Sequence, residues 1–100
     1  MNTIINEINE KLQTAHNPVA RIFYNSGESK ILLIGFNKGM TLEKHKTHVP
    51  ARLLVLSGAV KYIQEEYENP LKKFDYQDIP VDVIHEVYAE EDSLCMLIKC

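Results

Sequence analysis

From Val19 onward the sequence alternates short runs of β-forming residues with turn signals, spaced roughly ten residues apart. This spacing is typical of an antiparallel sandwich or barrel. Two of the runs are apolar without interruption, which indicates strands covered on both faces. The strands that we predict are Val19–Tyr24, Lys30–Phe36, Met40–Thr47, Arg52–Leu56, Ala59–Gln64, Leu71–Phe74, Val81–Tyr88 and Leu94–Lys99.

The first residues carry a different pattern. Apolar side chains recur three and four residues apart, which predicts a helix from Thr3 to about Ala15, with Thr3 as its N-terminal cap. The dipeptide Asn17–Pro18 ends this pattern, because a residue before proline disfavours helical geometry. A short helix in a small domain must dock on a sheet, and either its own sheet or that of a partner would serve.

Length and composition limit the organisation and the partners of the chain. One hundred residues that are 45% apolar suit a single domain over residues 1–100, with the helix within 1–16 and the β-barrel over 19–99. The net charge of −3 argues against nucleic acid or an anionic membrane as a partner, since both attract basic patches. The sequence shows no signal peptide and no apolar run of membrane-spanning length. A chain of this size leaves much surface exposed, so we predict a homodimer.

The two cysteines lie close together near the end of the sequence. Cys95 and Cys100 are five residues apart on a predicted strand, so their side chains point to opposite faces and do not form a disulfide. Free thiols are typical of a cytoplasmic protein. We therefore predict a cytoplasmic location.

Histidines occur in two separate β-rich segments. His45 and His48 lie between Gly39 and Gly58, and His85 lies later, after Ile-Pro-Val-Asp-Val-Ile. Imidazoles that converge from different strands are typical of a divalent-metal site or a small-ligand site. The function therefore depends on whether these side chains meet.

These two segments resemble the two motifs of the cupin superfamily. The stretch from Gly39 to Gly58 is similar to the first motif, in which a glycine and five residues precede His-x-His, followed by a glutamate and a glycine. The stretch from Asp75 to His85 is similar to the second motif, whose core is Pro-x-Gly-x-x-His. The resemblance implies an all-β, cupin-like antiparallel β-barrel (a jelly roll, or double-stranded β-helix). It also implies motif histidines that point into the mouth of the barrel and often bind a divalent transition metal.

The sequence retains two of the four metal ligands that the cupin motifs imply. His45 matches the first motif's first histidine, and His85 matches the histidine of the second motif. Thr47 stands in the place of the remaining motif histidine, and Ala51 stands in the place of the glutamate. A metal site therefore needs a ligand from elsewhere.

His48 is the candidate for that third ligand. On a regular strand it points away from His45, but a bulge before Pro50 would turn it inward. We predict a metal site formed by His45, His48 and His85. Zinc, iron, nickel and manganese are the candidate ions, since imidazole selects poorly among such metals. The alternative is that His48 is a surface residue on a bent strand.

Two further residues are candidates for ligand binding. Arg52 follows the position of the missing glutamate, and inside the barrel it would hold a carboxylate bidentately. It would otherwise be a solvated edge residue. Thr47 shares a strand face with His45 and is the second candidate. Two functions follow: a metal-dependent enzyme acting on a small organic molecule, or a metal-free cupin that binds or senses a small molecule.

Overall fold

The computed structural model describes residues 3–100, which form one helix and nine strands. All of the strand pairings are antiparallel, within a five-stranded sheet of order β1-β2-β9-β4-β7 and a four-stranded sheet of order β3-β8-β5-β6. The elements are α1 (Ile4–Leu12), β1 (Val19–Asn25), β2 (Lys30–Phe36), β3 (Thr41–His45), β4 (Ala51–Ser57), β5 (Ala59–Gln64), β6 (Tyr67–Lys72), β7 (Tyr76–Ile79), β8 (His85–Ala89) and β9 (Ser93–Lys99). Within residues 3–100, the two sheets do not join into one closed hydrogen-bonded cylinder.

The core lies between the two sheets. Val55 and Cys95 contribute fully buried side chains from the five-stranded sheet, and Val60, Tyr62 and Val87 contribute them from the four-stranded sheet. Burial of a side chain of this size contributes about 1.5–3 kcal/mol. The core is thus built from the alternate residues of each strand that face the opposite sheet.

Helix α1 packs on the outer face of the five-stranded sheet, against β1 and β2. Its buried residues are Ile8 and Leu12, and a side chain at Gly35 of β2 would collide with both. The helix ends at Leu12, earlier than predicted, and Thr3 makes no capping hydrogen bond with its side chain. No helix in the described part of the chain is long and apolar enough to span a membrane.

The region after β5 differs from the prediction. The predicted strand Leu71–Phe74 begins earlier, at Tyr67, and includes Pro70. The edge position of β6 tolerates this proline, which cannot donate a ladder hydrogen bond. Strand β7 was not predicted, because its four residues form no continuous apolar run.

The two cysteines are free, as predicted. Cys95 is buried and Cys100 is exposed. Burial raises the pKa of the Cys95 thiol to about 12. This thiol therefore stays protonated and unreactive at neutral pH.

Candidate functional site

An irregular pairing between β3 and β8 places His45 directly opposite His85. Leu42 pairs with Val87 and His45 pairs with His85, so three steps along β3 match two steps along β8. The extra residue is a β-bulge. Without it, Lys44 would share the face of Leu42 and lie opposite His85. A bulge therefore exists, but it lies before His45 rather than before Pro50, and it reorients His45.

The two imidazoles form a close pair at one end of the sandwich. Their ring centroids are 4.2 Å apart, with an angle of 58° between the ring planes. The ring of His85 also stacks on the buried ring of Tyr62, at a centroid distance of 5.7 Å. His85 is only 3% exposed, whereas His45 is exposed. The pair thus joins one fixed, buried ring and one accessible ring.

Both imidazoles are oriented in the same way by the backbone. Nδ1 of His45 lies 2.7 Å from the carbonyl oxygen of Glu43, and Nδ1 of His85 lies 3.0 Å from that of Val83. A carbonyl oxygen only accepts, so each Nδ1 must carry the proton. In the neutral form, each Nε2 therefore presents a lone pair to a metal ion or to a hydrogen-bond donor.

The Nε2 atom of His85 is the polar atom of the site that is available to a ligand. It has no hydrogen-bond partner within residues 3–100, although Nδ1 of the same ring has one. No completely buried side-chain nitrogen or oxygen of these residues lacks a partner, so this Nε2 must reach solvent. A side chain that is almost entirely buried therefore exposes one acceptor atom at the mouth.

The surroundings of His85 keep its ring neutral. Burial lowers the pKa of the imidazole below its ordinary value of 6.5, and the hydrogen bond to the Val83 carbonyl opposes this effect. The nearby His45 and Lys99 lower this pKa further. At neutral pH the ring is therefore an acceptor.

Further polar side chains continue the site across the inner face, and sequence analysis did not identify them. Tyr62 donates from its hydroxyl to Oε1 of Gln64 at 2.7 Å. The Oε1 of Gln77, on the opposite sheet, accepts from Asn69 at 2.7 Å and from the hydroxyl of Tyr67 at 3.3 Å. The only signal in the sequence is period-two alternation, which puts Tyr62 and Gln64 on one face.

His48 does not join the imidazole pair. Its side chain is 83% exposed, and its Nδ1 lies 3.0 Å from Oδ1 of Asp82. Residues 3–100 contain no group of three His, Cys, Asp or Glu side chains arranged to hold a metal ion. The predicted set of His45, His48 and His85 is therefore not assembled in this structure.

The two candidate ligand-binding residues are engaged elsewhere. Thr47 is buried, and its hydroxyl donates to the carbonyl of Val49 at 3.0 Å. Arg52 donates to the carboxylate of Asp78 at 2.6 and 3.1 Å, and its guanidinium lies 4.1 Å from the centroid of the Tyr76 ring. Since Arg52 alternates with the buried side chains of β4, it lies on the outer face of the sheet.

The side chains of the imidazole pair can be compared with the ligand sets of known metal sites. Catalytic zinc sites use three protein ligands, and oxygen-activating iron sites use two histidines and a carboxylate. The pair of His45 and His85 supplies two imidazoles and no carboxylate. The side chains present therefore do not complete either kind of site.

Comparison with solved structures identifies the fold. The structure is similar to a cupin superfamily protein from Desulfitobacterium hafniense, with a TM-score of 0.78 and 17% identity over 83% of this chain and 76% of that chain. It is also similar to a cupin-2 domain containing protein from Shewanella frigidimarina, with a TM-score of 0.73 and 16% identity over 97% and 94% of the two chains. A cupin 2 conserved barrel domain protein from Leptotrichia buccalis gives a TM-score of 0.77 and 27% identity over 83% of this chain and 40% of that chain.

These likenesses confirm the cupin fold that the motif resemblance implies. No protein-family model matches the sequence. No curated protein matches it either. The chain is therefore a small protein with the cupin jelly-roll fold, and its activity must be argued from its own residues.

Proposed function

We propose that this protein binds a small polar molecule at the mouth of the cupin fold, without a resident metal, and acts as a binding or sensing protein. The observation that supports this proposal is the unpartnered Nε2 of His85 beside the accessible ring of His45. Two lone pairs held in fixed directions suit a ligand that donates hydrogen bonds, such as a hydroxyl-bearing molecule.

The site is preorganised for such a ligand. The Val83 carbonyl and the ring of Tyr62 fix the orientation of His85 before any ligand arrives. Less side-chain freedom is then lost on binding, which favours affinity. A bound ligand would shield both acceptors from water, which also favours specificity, since a ligand without matching donors would leave them unpaired.

A divalent-metal site at the same pair is the second candidate, and it would support the metal-dependent enzyme. One observation favours it: metal-binding histidines commonly donate their other ring N–H to a backbone carbonyl, as both rings do here. Zinc, iron, nickel and manganese remain the candidate ions. Such an ion would need ligands beyond the two imidazoles.

Elemental analysis and NMR together test these functions. Tag-free protein would be analysed for metal and then titrated with a small-molecule extract of bacterial cells, with the imidazole ¹⁵N signals as the readout. We expect substoichiometric metal and shifts at His45 and His85 that are lost in His85→Gln. The exposed loop variant His16→Gln is the matched control. Stoichiometric metal that disappears in His45→Gln and His85→Gln would favour the metal site. If no metal is found and no component shifts either ring, both candidates fail.

We also propose that the protein is a cytoplasmic homodimer that uses the outer face of the five-stranded sheet. Since α1 packs on β1 and β2, the outward side chains of Leu54, Met96 and Ile98 stay partly exposed. Apolar faces of this kind are typical of subunit interfaces. Light scattering at micromolar concentration would contradict this proposal if it showed a monomer.

A further inference from the structure

Two lysines of the five-stranded sheet point toward the space between the sheets. Lys30 and Lys99 are direct partners across the antiparallel β2–β9 pair, so their side chains share one face. Lys99 lies two residues after Leu97, which is buried in the core. Because side chains alternate along a strand, both lysines belong to the inward face.

The lysines lie at the same end of the sandwich as the imidazole pair. At the opposite end, Ser93 at the start of β9 accepts a hydrogen bond from the backbone N–H of Ala59 at the start of β5, at 3.0 Å. The start of β5 pairs with the last residues of β8. The end of β9, with Lys99, therefore meets the start of β8, with His85. Lys99 is close enough for its charge to lower the pKa of His85.

Neither lysine is neutralised by an acidic side chain of residues 3–100. The ion pairs of these residues are Arg21–Glu7, His48–Asp82, Arg52–Asp78 and Lys61–Glu68. Like charges directly opposite each other on neighbouring strands are destabilising. The chain as a whole carries a net charge of −3, and Glu65, Asp82 and Glu86 line the cavity that includes His85, so the positive charge is confined to the wall that carries the two lysines.

We propose that the ligand of this site is a small hydroxylated carboxylate. Its carboxylate pairs with Lys99 and Lys30 on one wall, and its hydroxyls donate to Nε2 of His45 and His85 on the other wall. This inference rests on the proposed function, because it names the ligand class of the same site. The two walls demand different chemistry: a neutral imidazole acceptor suits a hydroxyl donor, and an ammonium group suits an anion.

Four probes separate the contribution of the carboxylate from that of the hydroxyls. Gluconate carries hydroxyls and a carboxylate, sorbitol carries hydroxyls alone, hexanoate carries a carboxylate alone, and inorganic phosphate is an anion of another class. Each would be titrated into ¹⁵N-labelled protein at neutral pH while the signals of His45 and His85 are followed. We expect gluconate to bind at least about tenfold more tightly than each of the other three.

Lysine variants locate the anion. Lys99→Met should weaken gluconate binding about tenfold or more and leave sorbitol binding unchanged. Lys30→Met should act in the same direction with a smaller effect, because Lys30 is the more exposed of the two. Lys73→Met is the matched control, since this exposed lysine lies in the turn between β6 and β7, on the ring of Phe74. It should bind all four probes as the unmodified protein does.

The outcomes distinguish this inference from the proposed function. Equal affinity for sorbitol and gluconate, with no effect of Lys99→Met, would overturn the anionic ligand and leave a neutral polar ligand at the imidazoles. Tighter binding of phosphate than of gluconate would overturn the carboxylate class. Failure of gluconate to shift either imidazole at about 10 mM would also overturn the inference. Metal-free protein in which a cell extract shifts neither ring would overturn the proposed function itself.

Discussion

The two ends of the sandwich are built on opposite principles. At the end where β9 begins, which we call the closed end, polar groups are paired inside the protein. At the end where β9 finishes, which we call the mouth, a buried imidazole has an unpartnered Nε2 and two lysines face inward without an acidic partner. The closed end therefore contributes to the stability of the fold, whereas the mouth retains polar groups with which a ligand can pair.

At the closed end, polar side chains form hydrogen bonds with the backbone of neighbouring loops and strands. Ser93 accepts from the N–H of Ala59 at 3.0 Å and donates to the carbonyl of Glu91 at 2.7 Å. The carboxylate of Asp92 accepts from the N–H of Lys38 at 2.8 Å. These bonds tie the loops of both sheets together, so changes here should act on stability.

The largest expected effect is at Gly58 in the closed end. Gly58 has a φ of +88°, and a side chain there would collide with the Asp92 carbonyl and with Ser93. Left-handed strain and overpacking together predict that Gly58→Ala lowers the free energy of unfolding by about 3 kcal/mol in urea denaturation. Gly27→Ala is the control, since Gly27 has a φ of +89° and no heavy atom within 4 Å of an added Cβ. Equal losses in both variants would show that packing at Gly58 is unimportant.

Removal of the Ser93 hydroxyl should have the next largest effect. Ser93→Ala removes a buried hydroxyl and leaves the N–H of the half-buried Ala59 without its acceptor, so we expect a loss of about 2 kcal/mol in the same assay. Ser26→Ala removes a hydroxyl from an exposed hairpin and should change stability by no more than about 0.5 kcal/mol. A loss at Ser93 no larger than this would contradict the role given to the closed end.

The bulge in β3 allows a test at the mouth. Deletion of Lys44 alone would leave His45 opposite His85 in regular pairing. Deletion of both Glu43 and Lys44 should instead remove the bulge and place His45 opposite Glu86, on the outer face, because each one-residue shift reverses the side-chain direction. The proton contact between the two rings, whose centroids lie 4.2 Å apart, should then be lost in NMR spectra. Ligand affinity should fall about tenfold or more. Lys44→Ala keeps the bulge and should retain both properties, and loss of the contact in this variant would contradict the argument.

A smaller effect should appear in the pH dependence of stability. Folding lowers the pKa of His85 below the ordinary value of 6.5. As the pH falls through that value, the unfolded chain therefore binds more protons than the folded protein does. This contribution to the free energy of unfolding is complete above about pH 6.5 and decreases as the pH falls toward the lower pKa of the folded protein. Urea denaturation should show that the free energy of unfolding falls less between about pH 7.5 and pH 5 in His85→Gln than in the unmodified protein. His16→Gln should keep the full decrease, and identical behaviour of all three proteins would refute the role of His85.

The smallest expected effect is a gain in stability at the mouth. Lys99→Met removes one of two like charges that face each other across β2 and β9, so the free energy of unfolding should rise by up to about 0.5 kcal/mol at low salt. Lys61→Met should not stabilise the protein, because the ammonium of Lys61 lies 3.7 Å from the carboxylate of Glu68. A loss of stability in Lys99→Met would indicate that Lys99 supports the fold rather than a ligand.

Much of the fold could be predicted from local patterns. The hairpin of β1 and β2, the strand β5 and the apolar strands β4 and β9 follow from period-two alternation and turn residues. The strand β7 could not be predicted in this way, because its four residues carry no continuous apolar signal. Its partner β4 supplies the hydrogen bonds that make it a strand.

The candidate site was predicted only in part. His45 and His85 do meet, as the motif resemblance implies. The inward role of His48 depended on a bulge before Pro50, whereas the bulge lies before His45 and His48 contacts Asp82. Lys99 was not singled out at all. Its importance depends on the partner strand, which the chain order does not reveal.

Local patterns in the sequence specify the short strands, the turns between them and the two motif histidines, since alternation and turn chemistry act between near neighbours. Which of these side chains share the mouth depends on contacts between strands. One extra residue in β3 reverses the direction of every side chain after it, and cross-strand pairing places Lys30 beside Lys99. Both depend on contacts between residues far apart in the chain, so local sequence patterns do not encode them.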